Sequence, residues 1–181
     1  RVNISSIDVV FGIVYADKAS AFADNGRNVS FYVDGNVIDS IVVPDGITKI
    51  NGYAFYGWKQ LKNITLHNGI TSIGDRAFAS TNITSMVVPN SVTTLGASVF
   101  DNCKELKNVT LGNGLKSIQT NSFGSSGITG LVIPDSVETI DTNAFKFCSA
   151  LSEITIGSGV TRVNTKAFGG CSSLKRLIMK D

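Results

Sequence analysis

Catalysis needs a base, a nucleophile or a set of metal ligands, and this chain is sparing with all three: it holds one histidine and three cysteines. His67 stands in "TLHNGI", where the sister strings "TLGNGL" and "TIGSGV" place Gly112 and Gly157. A residue that exchanges with glycine at a strand exit reads as a turn residue. With one histidine, read as a turn residue, no second histidine to take its place and no G-x-S-x-G elbow, a catalytic triad is not expected. Cys103, Cys148 and Cys171 lack the close Cys/His pairs of a structural zinc site, so no metal and no other cofactor is implied. "GSSG" and "GGCSS" invite a phosphate-loop reading, but no G-x-x-x-x-G-K-[ST] run exists. Both strings follow a phenylalanine at the same distance, which makes them turns between copies of one unit. The chain reads as a non-enzyme.

That unit is the element that must position everything else. Phe55, Phe78, Phe100, Phe123, Phe145 and Phe168 are separated by 23, 22, 23, 22 and 23 residues. Pro44, Pro89 and Pro134 fall 45 apart, so the full period is a pair of units. An apolar triplet recurs in each copy: Leu61, Ile64, Leu66; Ile83, Met86, Val88; Leu106, Val109, Leu111; Ile128, Leu131, Ile133; Leu151, Ile154, Ile156. Alternation in its second half is a strand signature. A second apolar pair follows a Gly, Asn or Asp turn, as in Ile70/Ile73 and Val137/Ile140, and then the small-residue-plus-Phe element.

A unit of this length cannot bury both sides of a strand alone, so stacked copies must supply the core. The expected fold is an α/β solenoid, strand-dominated and right-handed, with one parallel β-sheet and short helical or 3₁₀ turns carrying the Phe plugs on the other side. Residues 1–181 are expected to form a single domain. Residues 1–36 would be an N-terminal capping unit, where Ile4, Ile7 and Val9 fit the triplet. An inserted helix around Ala19, Phe22 and Ala23 and a strand over "VSFYV" would close it. Residues 37–173 would hold six repeats of 22 or 23 residues, and 174–181 a final strand. The edge at 174–179 needs a cover, by a further domain, a partner chain or self-association. Two readings stay open for the cysteines: a column of small buried side chains, or a disulfide between Cys148 and Cys171, since parallel strands lie ~4.8 Å apart and a disulfide accepts Cα separations of ~4.4–6.8 Å.

Sixteen basic against 14 acidic residues, without runs of like charge, point away from nucleic acid and from anionic membranes. The longest apolar run near the start, "VVFGIVYA", is far short of the ~20 residues that span a bilayer, so no membrane insertion is expected. The chain opens on Arg1, which points to a processed or truncated product.

The pattern L-x-x-I-x-L/IP-x-x-V-x-x-I-x-x-x-A-F-x-x-C-x-x-L resembles the BspA-type leucine-rich repeats of bacterial surface proteins over residues 37–179. Trp58, Thr81 and Ser126 depart from its Cys position, and Val99 and Ser122 from its Ala before Phe. Residues 12–33 resemble more loosely a stretch found beside such arrays. The resemblance implies an extracellular or cell-surface protein used in attachment, host-protein binding or cell–cell contact, and no catalysis.

Residues between the triplet members turn away from the core. One such column reads Asp8, Val42, Thr65, Val87, Thr110, Val132, Thr155, Ile178; its neighbour reads Ser6, Ser40, Asn63, Ser85, Asn108, Gly130, Glu153, Arg176. Val42, Thr65, Val87, Thr110, Val132 and Thr155, with Asn63, Ser85 and Asn108, are the candidate face for a protein partner, an extracellular-matrix or surface protein, or for a glycan. Its lack of aromatics argues against sugar stacking and single-stranded nucleic acid. Tyr53, Tyr56 and Trp58 in "GYAFYGWKQ" form the alternative contact if exposed, although packing as a cap against the inserted N-terminal segment is the favoured reading. The expected function is recognition or adhesion; the rival reading is a structural spacer that displays another domain.

Overall fold

Alternating apolar residues in each copy leave one row facing inward, and that row pairs with its counterpart one copy along. The computed structural model describes residues 2–3, 31–33 and 35–181. In chain order the strands are β1 (Val2–Asn3), β2 (Phe31–Val33), β3 (Asn36–Val37), β4 (Ser40–Val42), β5 (Lys49–Ile50), β6 (Asn63–Thr65), β7 (Ser72–Ile73), β8 (Ser85–Val87), β9 (Thr94–Leu95), β10 (Asn108–Thr110), β11 (Ser117–Ile118), β12 (Gly130–Ile133), β13 (Thr139–Ile140), β14 (Glu153–Ile156), β15 (Arg162–Val163) and β16 (Arg176–Met179). The even-numbered strands from β4 carry the triplets. They pair in parallel and in register, Ile41 with Ile64, Met86 with Val109, Leu131 with Ile154 and Ile154 with Leu177.

The solenoid expected from the repeat is present, strand-dominated and parallel. Two details differ. The expected single sheet is two ladders, because the second apolar pair also forms strands: β5–β7–β9 and β11–β13–β15 stack in parallel, Ile73 opposite Leu95 and Ile118 opposite Ile140. Each of these legs except β15, exposed at both residues, buries one residue of its two, and their peptide groups have no partner within so short a coil, so the next coil supplies it.

The expected helical or 3₁₀ turns are absent among the described residues. Around each phenylalanine the chain takes a positive φ two residues before and two residues after: Tyr53 and Gly57, Arg76 and Ser80, Ser98 and Asn102, Asn121 and Ser125, Asn143 and Phe147, Lys166 and Gly170. A left-handed residue ends any helix. It also redirects the amides. Tyr53, Phe55 and Gly57 donate to Asp75, Ala77 and Ala79 of the next coil at 2.8–2.9 Å, while Ala54, Tyr56 and Trp58 donate three residues back within their own turn.

The phenylalanine rings point inward and stack in one column at centroid distances of 5.2–5.7 Å, from Phe55 to Phe168. The five from Phe55 to Phe145 are fully buried. Each such side chain removed from water contributes about 1.5–3 kcal/mol before chain entropy is set against it.

The alternation of 22 and 23 has a local origin. From the phenylalanine to the centre of the next triplet strand is nine residues after Phe55, Phe100 and Phe145, but eight after Phe78 and Phe123. The first ladder lapses where the loop is short, between β6 and β8 and between β10 and β12.

At the N-terminal end β2 pairs in parallel with β1 and antiparallel with β3, which makes Phe31–Val33 the described part of the expected "VSFYV" strand. The expected helix near Ala19, Phe22 and Ala23 and the triplet at Ile4, Ile7 and Val9 lie outside the described residues. At the other end β16 pairs with β14 alone, and Leu177, Ile178 and Met179 stand exposed.

Candidate functional site

Strand alternation sends the intervening column outward. Val42, Val87 and Val132 are 70%, 64% and 56% exposed, far beyond what a valine in a core position shows. Thr65, Thr110, Asn63, Ser85 and Asn108 are exposed with them, and Thr155 is half-buried. In-register pairing puts Val42 beside Thr65, Val87 beside Thr110 and Val132 beside Thr155. The sequence-derived columns are therefore neighbours in space, on the outer face of the first ladder.

This face is not uniform. Where the ladder lapses between β10 and β12 it opens into a cavity of about 760 Å³, lined among others by Thr110, Asn113, Gly130, Val132, Glu153 and Thr155. Gly130 contributes to the opening by what it lacks. A Cβ there would meet only the Glu153 carbonyl, at 3.6 Å, and its φ is not positive, so neither packing nor backbone requires glycine. Glycine inside a strand weakens it and marks places where another group approaches the backbone. Two ion pairs stand on the C-terminal side: Glu153 with Arg176, and Asp135 with Lys180, Nζ to Oδ1 3.5 Å. Thus the cavity joins a short apolar floor to hydroxyls on one side and paired charges on the other.

The alternative contact divides. Tyr53 is exposed and Tyr56 half-buried, their rings 5.6 Å apart. Trp58 is no surface residue. It is 1% exposed and lies in the core, 6.1 Å from the Phe55 ring. Its place three residues after the phenylalanine is the one filled by Thr81, Cys103, Ser126, Cys148 and Cys171 in later coils, and an indole there fills the end of the column.

Phe147 was not singled out by its sequence context, yet it is 56% exposed with φ +60°, a costly conformation for a bulky residue. Its ring covers Gly170 of the next coil and carries Lys146 Nζ 5.0 Å from its centroid. The signal was available, since the equivalent places hold Gly57, Ser80, Asn102, Ser125 and Gly170.

His67 engages both ring nitrogens. Nε2 lies 3.1 Å from the Pro44 carbonyl, and Nδ1 accepts from the Gly69 N–H at 3.0 Å. The ring occupies a space that Gly112 and Gly157 leave to the carbonyls of Pro89 and Pro134. Burial raises the Asp101 carboxyl, with the Arg76 charge pulling it back; it belongs to a turn, not to the cavity. Among the described residues no group of three His, Cys, Asp or Glu side chains could hold a metal ion, and no helix is long and apolar enough to cross a membrane.

All three cysteines are free. Their thiols donate to carbonyls of the preceding coil: Cys103 to Phe78 at 3.0 Å, Cys148 to Phe123 at 2.9 Å and Cys171 to Phe145 at 3.1 Å.

The pattern of the BspA-type leucine-rich repeat region matches residues 27–152 and 71–181, in six copies. The chain belongs to the BspA-type leucine-rich repeat family. Solved structures agree with the fold. A leucine-rich repeat protein from Eubacterium ventriosum is 26% identical with a TM-score of 0.70, over 79% of this chain and 39% of its own. One from T. pallidum is 23% identical with a TM-score of 0.52, over 77% of this chain and 57% of its own. A leucine-rich cell surface protein from Faecalibacterium prausnitzii is 16% identical with a TM-score of 0.46, over 80% and 60%. The BspA-type array described here thus spans less than two thirds of the length of each. No curated protein matches the chain.

Proposed function

We propose that this array is a non-enzymatic recognition or adhesion module, secreted or displayed at a bacterial cell surface, that docks a protein partner on the outer face of the first ladder. The observation that carries the reading is the cavity at Gly130, where the exposed Val/Thr column meets two ion pairs. An apolar floor excludes water, while hydroxyls and fixed charges orient an incoming segment; these are the ingredients of a protein contact with an apolar centre and a polar rim. Family membership supports the surface placement. The engagement of both ring nitrogens of His67 with backbone groups supports a non-enzyme. A spacer role is favoured by a different observation, the unbroken phenylalanine column, which stiffens the array whatever it touches.

The test is binding of the purified chain to immobilised extracellular-matrix proteins and mucin, beside a Thr110→Lys/Val132→Lys variant whose fold is checked by circular dichroism. Saturable binding lost only in the folded variant supports docking at this face. Binding that survives the double substitution refutes it, and no binding by either protein favours the spacer.

A further inference from the structure

Cys148 and Cys171 hold equivalent places in adjacent coils, three residues after Phe145 and Phe168. The two turns are tied together on the approach to these cysteines, Phe145 N–H to Ala167 O at 2.7 Å and Phe147 N–H to Gly169 O at 2.8 Å, and the two phenylalanine rings stand 5.2 Å apart. Equivalent residues of coils tied in this way lie about the ~4.8 Å of parallel strands apart, inside the ~4.4–6.8 Å between Cα atoms that a disulfide accepts.

Side-chain direction decides whether the sulfurs can meet. All three thiols take parallel rotamers that reach one coil back, and in doing so Cys171 reaches the coil of Cys148. The Cys171 thiol donates at 3.1 Å to the Phe145 carbonyl, which also accepts the Cys148 N–H at 3.1 Å. The Cys171 sulfur is therefore already aimed at the turn that carries Cys148. Cys148 points one coil further back, to Phe123 O at 2.9 Å and beside Ser126 Oγ at 3.4 Å. One rotation about its Cα–Cβ bond exchanges those contacts for the Cys171 sulfur. Access is also graded: Cys148 is fully buried and Cys171 half-buried. Cys103 supplies an internal control, because its neighbours in the column are Thr81 and Ser126 and it has no thiol to join.

We propose that Cys148 and Cys171 form an oxidisable dithiol that closes to an inter-coil disulfide by exchange with a small-molecule disulfide. Cys171 enters first. Its thiolate attacks one sulfur of oxidised glutathione, the S–S bond breaks, and one glutathione leaves as thiolate and takes a proton from solvent. The Cys148 sulfur, after giving up its proton to solvent, then attacks the Cys171 sulfur and expels the second glutathione. Two protein thiols are oxidised and one small disulfide is reduced to two thiols. Interaction with the neighbouring Cys148 thiol holds the Cys171 thiol below the usual range, and the same pairing, with burial, pushes Cys148 up. Cys171 is also the more exposed of the two, so the first attack belongs to it. The bond would enclose β14 and β15 and staple β16's coil to the one before it.

The experiment treats the native chain with oxidised glutathione, blocks remaining thiols after denaturation, and maps peptides by mass spectrometry. The expected wild-type product has lost two hydrogens, retains no glutathione, joins the Cys148 and Cys171 peptides, and leaves Cys103 free. Cys148→Ser should stall with one glutathione on Cys171, Cys171→Ser should take none, and Cys103→Ser should behave as wild type. Serine already fills this column at Ser126, so the variants are expected to fold, and the wild-type map stands without them. A wild-type chain that keeps glutathione on Cys171, joins Cys103 instead, or emerges with all three thiols free overturns the proposal.

Discussion

Phe100→Ala should cost far more than Phe168→Ala, although both delete the same ring from the same column. Phe100 is fully buried between Phe78 at 5.7 Å and Phe123 at 5.3 Å. Deleting a buried phenylalanine costs about 3–5 kcal/mol. Contacts between rings add about 1 kcal/mol for each neighbour lost, which places Phe100 at the upper end, at about 5 kcal/mol. Phe168 is half-buried and has one ring partner, Phe145 at 5.2 Å. Partial burial and a single stack give about 1–2 kcal/mol. Against a total of ~5–15 kcal/mol for an ordinary domain, the first loss is grave and the second tolerable. Urea unfolding followed by far-ultraviolet circular dichroism measures both. Trp58, buried at one end of the array, gives a second probe by fluorescence. In a stack held by nearest neighbours, a central defect should also separate the Trp58 transition from the overall one. Equal costs for the two variants would refute a column that acts as a chain of neighbours.

Three further outcomes follow from single positions. Gly112→Ala would bring a Cβ within 2.3 Å of the Pro89 carbonyl and should destabilise by more than about 2 kcal/mol, whereas Gly130→Ala, with nothing nearer than 3.6 Å, should be neutral or gain ~0.5 kcal/mol, both read as urea midpoints. Lys166→Gly, at an exposed residue with φ +56°, should raise stability by about 1 kcal/mol, and a loss would show that the left-handed backbone there is not strained. Burial pushes the Cys103 thiol up from its ordinary 9.0 to about 11. A raised pKa means that the folded state holds the proton more tightly, so the Cys103 contribution is complete below pH 9.0 and is lost as pH rises through about 11. Compared with Cys103→Ser, the wild type should therefore lose about 2–3 kcal/mol more across that window, and parallel curves would contradict the assignment.

The phenylalanine column and the triplets were legible because burial is periodic: Phe55 to Phe145 and Ile73, Leu95, Ile118 and Ile140 are each forced inward by the need of a 22- or 23-residue coil to share its core. The turns were less so. Ala77-Phe78 and Ala144-Phe145 look like pieces of helix, and what prevents one is a positive φ at residues such as Tyr53, Arg76 and Lys166, whose side chains do not announce it. Gly57 and Gly170 do, and Asn102, Asn121 and Asn143 in part. Trp58 follows Phe55 at the offset that gives Cys103 and Cys148, which favours packing over the contact its chemical type offers, and it is buried. The outward columns were readable from alternation alone, whereas the cavity needed two facts to meet, a loop one residue short after Phe123 and a missing side chain at Gly130. Neither marks a site by itself.

The turns beside the phenylalanines give the rod a direction. In each coil three amides point the same way, from Tyr53, Phe55 and Gly57 onward through Asn143, Phe145 and Phe147, and every one meets a carbonyl of the following coil. In a parallel ladder a strand gives and receives on both sides, so such bonds largely cancel. Here they do not alternate. Peptide dipoles add head to tail along one edge, as they do along a helix, so that this edge is positive towards Lys166, Phe168 and Gly170 and negative towards the Tyr53 end. The array is an axially polarised body, and an electric field would orient it by its backbone as well as by its charged side chains.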